Sequence, residues 1–178
     1  VVLGGSSGAR NINNAVLAVL PELLQLARVF HITGTADHER VEARLSELDT
    51  CARRQYRIYS YVENELSDML WAADLVVARA GAATLGEFPA AGVPSVLVPG
   101  SFAGGHQMPN ATYLRDRGAA LIIADSDLRS RLLPTVEGLF RDPRRLEDMA
   151  AAARRLARPE ASRLIVRELQ RAADGHRA

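Results

Sequence analysis

The 178 residues read as one α/β domain, a doubly wound six-stranded parallel sheet followed by C-terminal helices. Two observations lead there. Short β-branched runs alternate with helical patterns, the rhythm of parallel strands joined by crossover helices. Most of those runs are continuously apolar instead of alternating, as strands covered on both faces should be.

Taken in order, the strand runs are Val1–Leu3, Val29–Thr33, Arg57–Val62, Leu75–Ala78, Ser95–Val98 and Leu121–Ala124. Helices are expected over Ala9–Leu26, reset at Pro21, then over Asp37–Leu48, Asn64–Ala73, Ala83–Ala91 and Asn110–Arg117. Pro21 fits the first turn of a second helix, where a missing N–H costs nothing. After the sixth run the alternation stops, and residues 127–172 read as a C-terminal helical segment of the same domain. Its apolar stripes are Leu128, Leu132, Leu133, Val136, Leu139 and Phe140; then Leu146, Met149, Ala153 and Leu156; then Leu164, Ile165 and Leu169. Pro143 and Pro159 stand as helix starters. No repeat or linker divides the chain, so residues 1–178 form a single domain with a fraying tail over Ala172–Ala178.

Composition narrows the function. With 48% hydrophobic and 24% charged residues the chain has material for a full core, which excludes a disordered segment. Cys51 is the single cysteine, so neither an internal disulfide nor a cysteine-held metal is available. No apolar stretch approaches the ~20 residues that span a bilayer. Val1-Val2-Leu3 reads as a core strand and not as a leader. A net charge of +1 argues against a nucleic-acid binder. All 22 basic residues are arginine, which excludes a P-loop lysine and a Schiff-base lysine.

Three turns carry polar chemistry. The first strand runs into Gly4-Gly5-Ser6-Ser7-Gly8-Ala9-Arg10 and then a helix. Such a turn offers backbone N–H groups at a helix N-terminus to a phosphate or diphosphate. Read alone, it serves equally as a tight turn in which Ser6 or Ser7 caps the helix. The fourth strand runs through Arg79-Ala80-Gly81-Ala82-Ala83-Thr84 to Glu87. There Thr84 can cap the helix or donate to a phosphate, and Glu87 can accept ribose hydroxyls or complement a helix dipole. The fifth strand leads into a Gly/Pro loop ending in His106, Gln107 and Asn110. Those side chains suit sugar hydroxyls, or else Asn110 is an N-cap and His106 is solvated. In a parallel sheet all three turns leave the same edge, so they are expected to meet at one cleft.

Together with Ala91-Gly92-Val93-Pro94-Ser95, these segments resemble, in order over almost the whole chain, the C-terminal donor-binding domain of the MurG family, glycosyltransferase family 28. The resemblance implies the Rossmann-like C-terminal half of a GT-B transferase. It implies that such an enzyme moves N-acetylglucosamine from UDP-N-acetylglucosamine to lipid I, forming lipid II for peptidoglycan, with inversion at the anomeric carbon. Carried over, Ser6 contacts the diphosphate, with Gly5, Gly8 and Arg10 completing its motif; Val62 reads the uracil edge through its backbone. Gly81, Ala82 and Thr84 line diphosphate and sugar, Glu87 accepts the ribose hydroxyls, and His106, Gln107 and Asn110 hold the N-acetylglucosamine. The segment Val62–Met69 is longer than the usual form of its motif.

The family's N-terminal domain, with the acceptor site and proposed general base, is not represented, so no catalytic residue is expected here. The implied partners are the UDP-N-acetylglucosamine donor and, through that other domain, a lipid-linked acceptor. The longer protein is expected in the cytoplasm or peripherally at the cytoplasmic membrane face. No cofactor or metal is expected: Asp125-Ser126-Asp127, the nearest thing to an Asp-x-Asp pair, opens a helix and reads as capping. Competing readings are another GT-B donor domain, such as that of a diacylglycerol galactosyltransferase, and a non-catalytic donor-binding subunit that needs a partner chain. The third is an oxidoreductase dinucleotide domain. Against this last one, G-x-G-x-x-G is absent and His31-Ile32-Thr33 stands where a ribose-binding acid should.

Overall fold

The computed structural model describes residues 1–5, 8–100 and 106–175. Six strands form one sheet: β1 (Val2–Leu3), β2 (Val29–Ile32), β3 (Tyr56–Tyr59), β4 (Val76–Ala78), β5 (Ser95–Leu97) and β6 (Ala120–Ile122). All pairings are parallel, in the order β3-β2-β1-β4-β5-β6. This is the Rossmann-like arrangement, and every expected strand is present in its expected place in the chain. β3 ends at Tyr59, short of the expected Val62.

The helices are α1 (Arg10–Ala18), α2 (Leu20–Leu26), α3 (His38–Glu42), α4 (Thr50–Gln55), α5 (Glu65–Trp71), α6 (Glu87–Ala91), α7 (Gln107–Arg115), α8 (Leu128–Phe140), α9 (Pro143–Leu156) and α10 (Ala161–Gly175). The break between α1 and α2 falls at Val19, and Pro21 sits in the first turn of α2. The expected helix over Asp37–Leu48 is α3 followed by a 3-10 segment, Ala43–Glu47. α4 has no counterpart among the helices expected from the sequence. Its signal was the cap: the Asp49 carboxylate accepts from the Ala52 N–H at 2.8 Å.

Side chains of the central strands alternate between two cores. Val77, Val96 and Val98 pack with Ile12, Val16, Leu132 and Leu139 of α1 and α8. Val76, Ala78 and Leu97 pack on the other face with Phe88, Ala111, Leu114 and Ala153 of α6, α7 and α9. Burying a side chain such as Phe88 contributes ~1.5–3 kcal/mol, which fixes the helices that carry the rim residues. The third C-terminal stripe behaves differently from expectation. Leu164, Ile165 and Leu169 are 50%, 60% and 65% exposed, because α10 follows the Pro159 turn away from both cores. α10 continues to Gly175, past the expected fraying point at Ala172. Among the described residues no helix is long and apolar enough to cross a membrane.

Candidate functional site

β1 and β4 are neighbours, although β2 and β3 lie between them in sequence. Crossovers from β1 run toward β3 on one side, while those from β4 run toward β6 on the other. At such a switch point the loops part and leave a crevice beyond the carboxyl ends of the strands. The turns after β1, β4 and β5 all open on that rim.

After β1 the chain turns through Gly5 and Gly8, with φ of +89° and +75°. Gly8 donates its N–H to Gly5 O at 2.9 Å. A Cβ on Gly8 would stand 2.3 Å from Thr33 O, so the turn is pressed against the loop following β2. α1 then begins with Ala9 at its N-cap position and no acidic residue in its first turn. The methyl group of Ala9 supplies no acceptor; Ser6 and Ser7, the expected caps, lie outside the described residues. With no side-chain cap among the described residues, the first N–H groups of α1 suit an anion. Ser6, the residue expected to contact the diphosphate, lies outside the described residues. Arg10, the first residue of α1, is exposed.

After β4, Gly81 has open space where a side chain would be, and a 3-10 turn, Ala82–Leu85, follows. Thr84 is buried and its hydroxyl donates to Gly81 O at 2.6 Å. That hydrogen closes the turn instead of capping α6 or reaching outward, while Ala82 is exposed. Glu87 opens α6, exposed and with no hydrogen bond or ion pair among the described residues. Its carboxylate keeps all its acceptor capacity.

α7 starts three residues earlier than expected, at Gln107. His106 occupies the N-cap position, exposed and without a capping bond. Gln107 accepts the Gly100 N–H at 2.8 Å through Oε1, and its amide N–H pair has no partner among the described residues. Asn110 lies inside the helix and is not its cap. Its Nδ2 donates to Ala80 O at 3.0 Å, tying α7 to the β4 turn. Val62 lies between β3 and α5, half-buried.

Further ties knit the rim. Arg79, just past β4, donates to Val98 O at 3.1 Å and to the Asp125 carboxylate beyond β6. Asn11 of α1 also donates to Asp125. Asp125 is thus a brace between three segments and not the capping residue expected. Asp127 holds the N-cap position of α8 without a side-chain cap bond.

A second network runs beneath α1. Asn13 Nδ2 donates to Thr33 O and to Asp37 Oδ2, both at 2.9 Å. Asn13 Oδ1 must therefore accept from His31 Nε2–H at 2.9 Å, and His31 Nδ1 accepts the Tyr56 O–H at 2.7 Å. Burial lowers the His31 pKa to about 4, so the ring is neutral. Burial works to raise the Asp37 pKa. Hydrogen bonds from Arg40 and Asn13, with the charges of Arg40 and Arg10, outweigh it and hold the carboxyl below its usual range. The sequence reading missed Asp37, whose oxygens are engaged by Asn13, Arg10 and Arg40. It supplies no free pair of acceptors for a ribose, which further weakens the dinucleotide reading.

Residues 1–165 match the Glycosyltransferase family 28 C-terminal domain. The chain belongs to glycosyltransferase family 28. Among curated relatives, the UDP-N-acetylglucosamine--N-acetylmuramyl-(pentapeptide) pyrophosphoryl-undecaprenol N-acetylglucosamine transferase of Halothermothrix orenii is 38% identical, over 98% of this chain and 48% of its own length. The same-named enzyme of Nitratidesulfovibrio vulgaris is 40% identical, over 93% of this chain and 45% of its own. The crystal structure of Acinetobacter baumannii MurG aligns with a TM-score of 0.79 at 30% identity, covering 96% of this chain and 48% of that one. The chain spans about half the length of the curated relatives it matches.

In this family 28 domain, parallel pairing puts Gly5, Gly8, Arg10, Gly81, Ala82, Glu87, Gln107 and Asn110 on one rim, on turns or helix starts that follow three adjacent strands. Thr84 and Asn110 shape that rim by bonding to backbone carbonyls.

Proposed function

We propose that this family 28 domain binds UDP-N-acetylglucosamine and forms the donor half of an inverting N-acetylglucosaminyltransferase. The observation that carries the reading is the pairing, across the β1/β4 switch point, of an α1 N-terminus that has no side-chain cap among the described residues and no acid in its first turn with a Glu87 carboxylate that has no partner among those residues. An anion suits the first. A vicinal diol, which offers two hydroxyl hydrogens to one carboxylate, suits the second. A nucleoside diphosphate carries both groups. The unused amide N–H pair of Gln107 and the exposed ring of His106 add contacts for a sugar beyond the diphosphate.

The chemical demand on this half is modest. As the bond between the anomeric carbon and the diphosphate oxygen breaks, negative charge grows on the leaving UDP. The N–H groups of α1 are fixed before that charge appears, so they stabilise it without reorganising. The relatives' names, N-acetylglucosamine transferases of N-acetylmuramyl-(pentapeptide) pyrophosphoryl-undecaprenol, support lipid I as the acceptor and lipid II as the product implied by the resemblance, with the acceptor half in the remaining length of a longer protein. That protein would meet its lipid-linked acceptor peripherally, at the cytoplasmic face of the membrane.

Isothermal titration of the chain with UDP-N-acetylglucosamine, UDP-galactose and NAD in turn tests this. Saturable binding strongest for UDP-N-acetylglucosamine is expected. A preference for UDP-galactose reassigns the sugar, and a preference for NAD overturns the transferase reading.

A further inference from the structure

We propose that Asp37 is a positioning residue for the diphosphate: by holding Arg10 at Nε, it presents the terminal N–H groups of that guanidinium to the phosphates. This rests on the donor-site reading above.

Four observations lead to it. Arg10 is the first residue of α1, directly beyond the glycine turn, and its side chain is 71% exposed. Its Nε donates to Asp37 Oδ1 at 3.2 Å, while its two terminal nitrogens have no partner among the described residues. Asp37 is itself immobilised, since its side chain is 6% exposed and Asn13, fixed in turn by His31 and Thr33, donates to Oδ2. Arg40 also reaches Asp37, through Nε at 3.4 Å and its terminal nitrogen at 3.1 Å.

The charge balance decides what the cluster is for. Two guanidinium groups face one carboxylate, so the cluster carries one positive charge in excess beside a helix whose first turn contains no acidic residue, the nearby Asp125 being paired with Arg79. Arg40 already neutralises Asp37, which leaves the charge of Arg10 for another anion. An exposed arginine loses rotamer entropy when a ligand fixes it. Anchoring at Nε meets much of that cost before the ligand arrives, and the two terminal nitrogens form the fork that pairs with phosphate oxygens.

The test compares UDP with uridine, which lacks the diphosphate, on the wild-type chain and on Asp37→Asn and Arg10→Gln. If Asp37 acted only as a nearby negative charge, Asp37→Asn would strengthen UDP binding. Positioning gives the opposite sign: a roughly tenfold loss of UDP affinity with uridine unchanged. Arg10→Gln, at an exposed position that does not threaten folding, should lose UDP affinity similarly. Combining the two should cost no more than Arg10→Gln alone, because Asp37 acts through Arg10. Wild-type chain that binds no UDP overturns the donor-site reading and this proposal with it. UDP binding that persists, with the UDP-to-uridine ratio unmoved or raised in Asp37→Asn or unmoved in Arg10→Gln, overturns the proposal alone.

Discussion

Arg79 and Asp125 stand 46 residues apart in the chain, yet their side chains form an ion pair across the carboxyl rim of the sheet. Arg79 leaves the end of β4 and also bonds Val98 beyond β5, while Asp125 follows β6 and receives Asn11 of α1. One carboxylate thereby fixes the relative positions of the turns that line the crevice. Both side chains are largely buried, at 7% and 20% exposure, so neither charge is well solvated without the other. Breaking such a pair from one side is costly. Asp125→Ala should lower unfolding stability by ~3 kcal/mol, read from the midpoint of urea denaturation. A shift below ~1 kcal/mol would mean that the rim holds together without this brace.

Glu87 gives a prediction about affinity instead. Its carboxylate has no partner among the described residues, so truncating it removes from them only a charge at the start of α6. Glu87→Ala should weaken UDP binding by ~1.5–3 kcal/mol, the worth of hydrogen bonds to a charged group, with little change in melting temperature. The reverse pattern, unchanged affinity with reduced stability, would make Glu87 a helix-dipole residue only.

Gly8 couples turn geometry to the loop after β2. Gly8→Ala asks for a left-handed φ of +75° from a residue with a side chain and drives that Cβ toward Thr33 O. The expected loss is ~2 kcal/mol or more in stability, and UDP affinity should fall with it, since the start of α1 must shift. Denaturation and titration of the same variant check both halves of this expectation.

The pH dependence of stability follows from His31. Its folded-state pKa, about 4, lies below the ordinary value of 6.5, so the unfolded chain binds the proton more readily. Stability is then full above pH 6.5, falls as the pH drops toward 4, and levels off below that. Between pH 7 and pH 5 the expected loss from this group is ~2 kcal/mol. The lowered pKa of Asp37 has the same sign but acts at more acidic pH, and the Tyr56 hydroxyl, pushed up by burial, does not titrate in this window. His31→Gln should flatten the profile between pH 7 and pH 5; an unchanged slope would place its origin elsewhere.

Local signals decided how much of this was legible from sequence. The strands were readable because each is a short apolar run, and the glycine turn was readable because Gly5 and Gly8 occupy backbone conformations that favour glycine. Thr84 and Asn110 read from sequence either as caps or as ligand contacts, and in the structure a donor of each goes to a backbone carbonyl, of Gly81 and Ala80. A side chain's choice between a backbone carbonyl and a ligand depends on distances that no spacing encodes. The bracing contacts of Arg79, Asp125 and Asp37 were illegible for a related reason, although Arg79 stands in the β4 motif and Asp125 reads as a cap: their partners are 46, 114 and 27 residues away, brought together only by the strand order. The stripe of α10 shows the converse, a periodic pattern correctly read as a helix that nonetheless reaches neither core.

The central claim is spatial, and a crystal structure of the chain with UDP tests it most directly. The account predicts the diphosphate against the N–H groups at the start of α1, within reach of the Arg10 guanidinium, and the ribose hydroxyls on the Glu87 carboxylate. UDP seated elsewhere, for instance in the 830 Å³ cavity lined by Val1, Phe30, Leu75 and Phe140 at the amino ends of the strands, would contradict it.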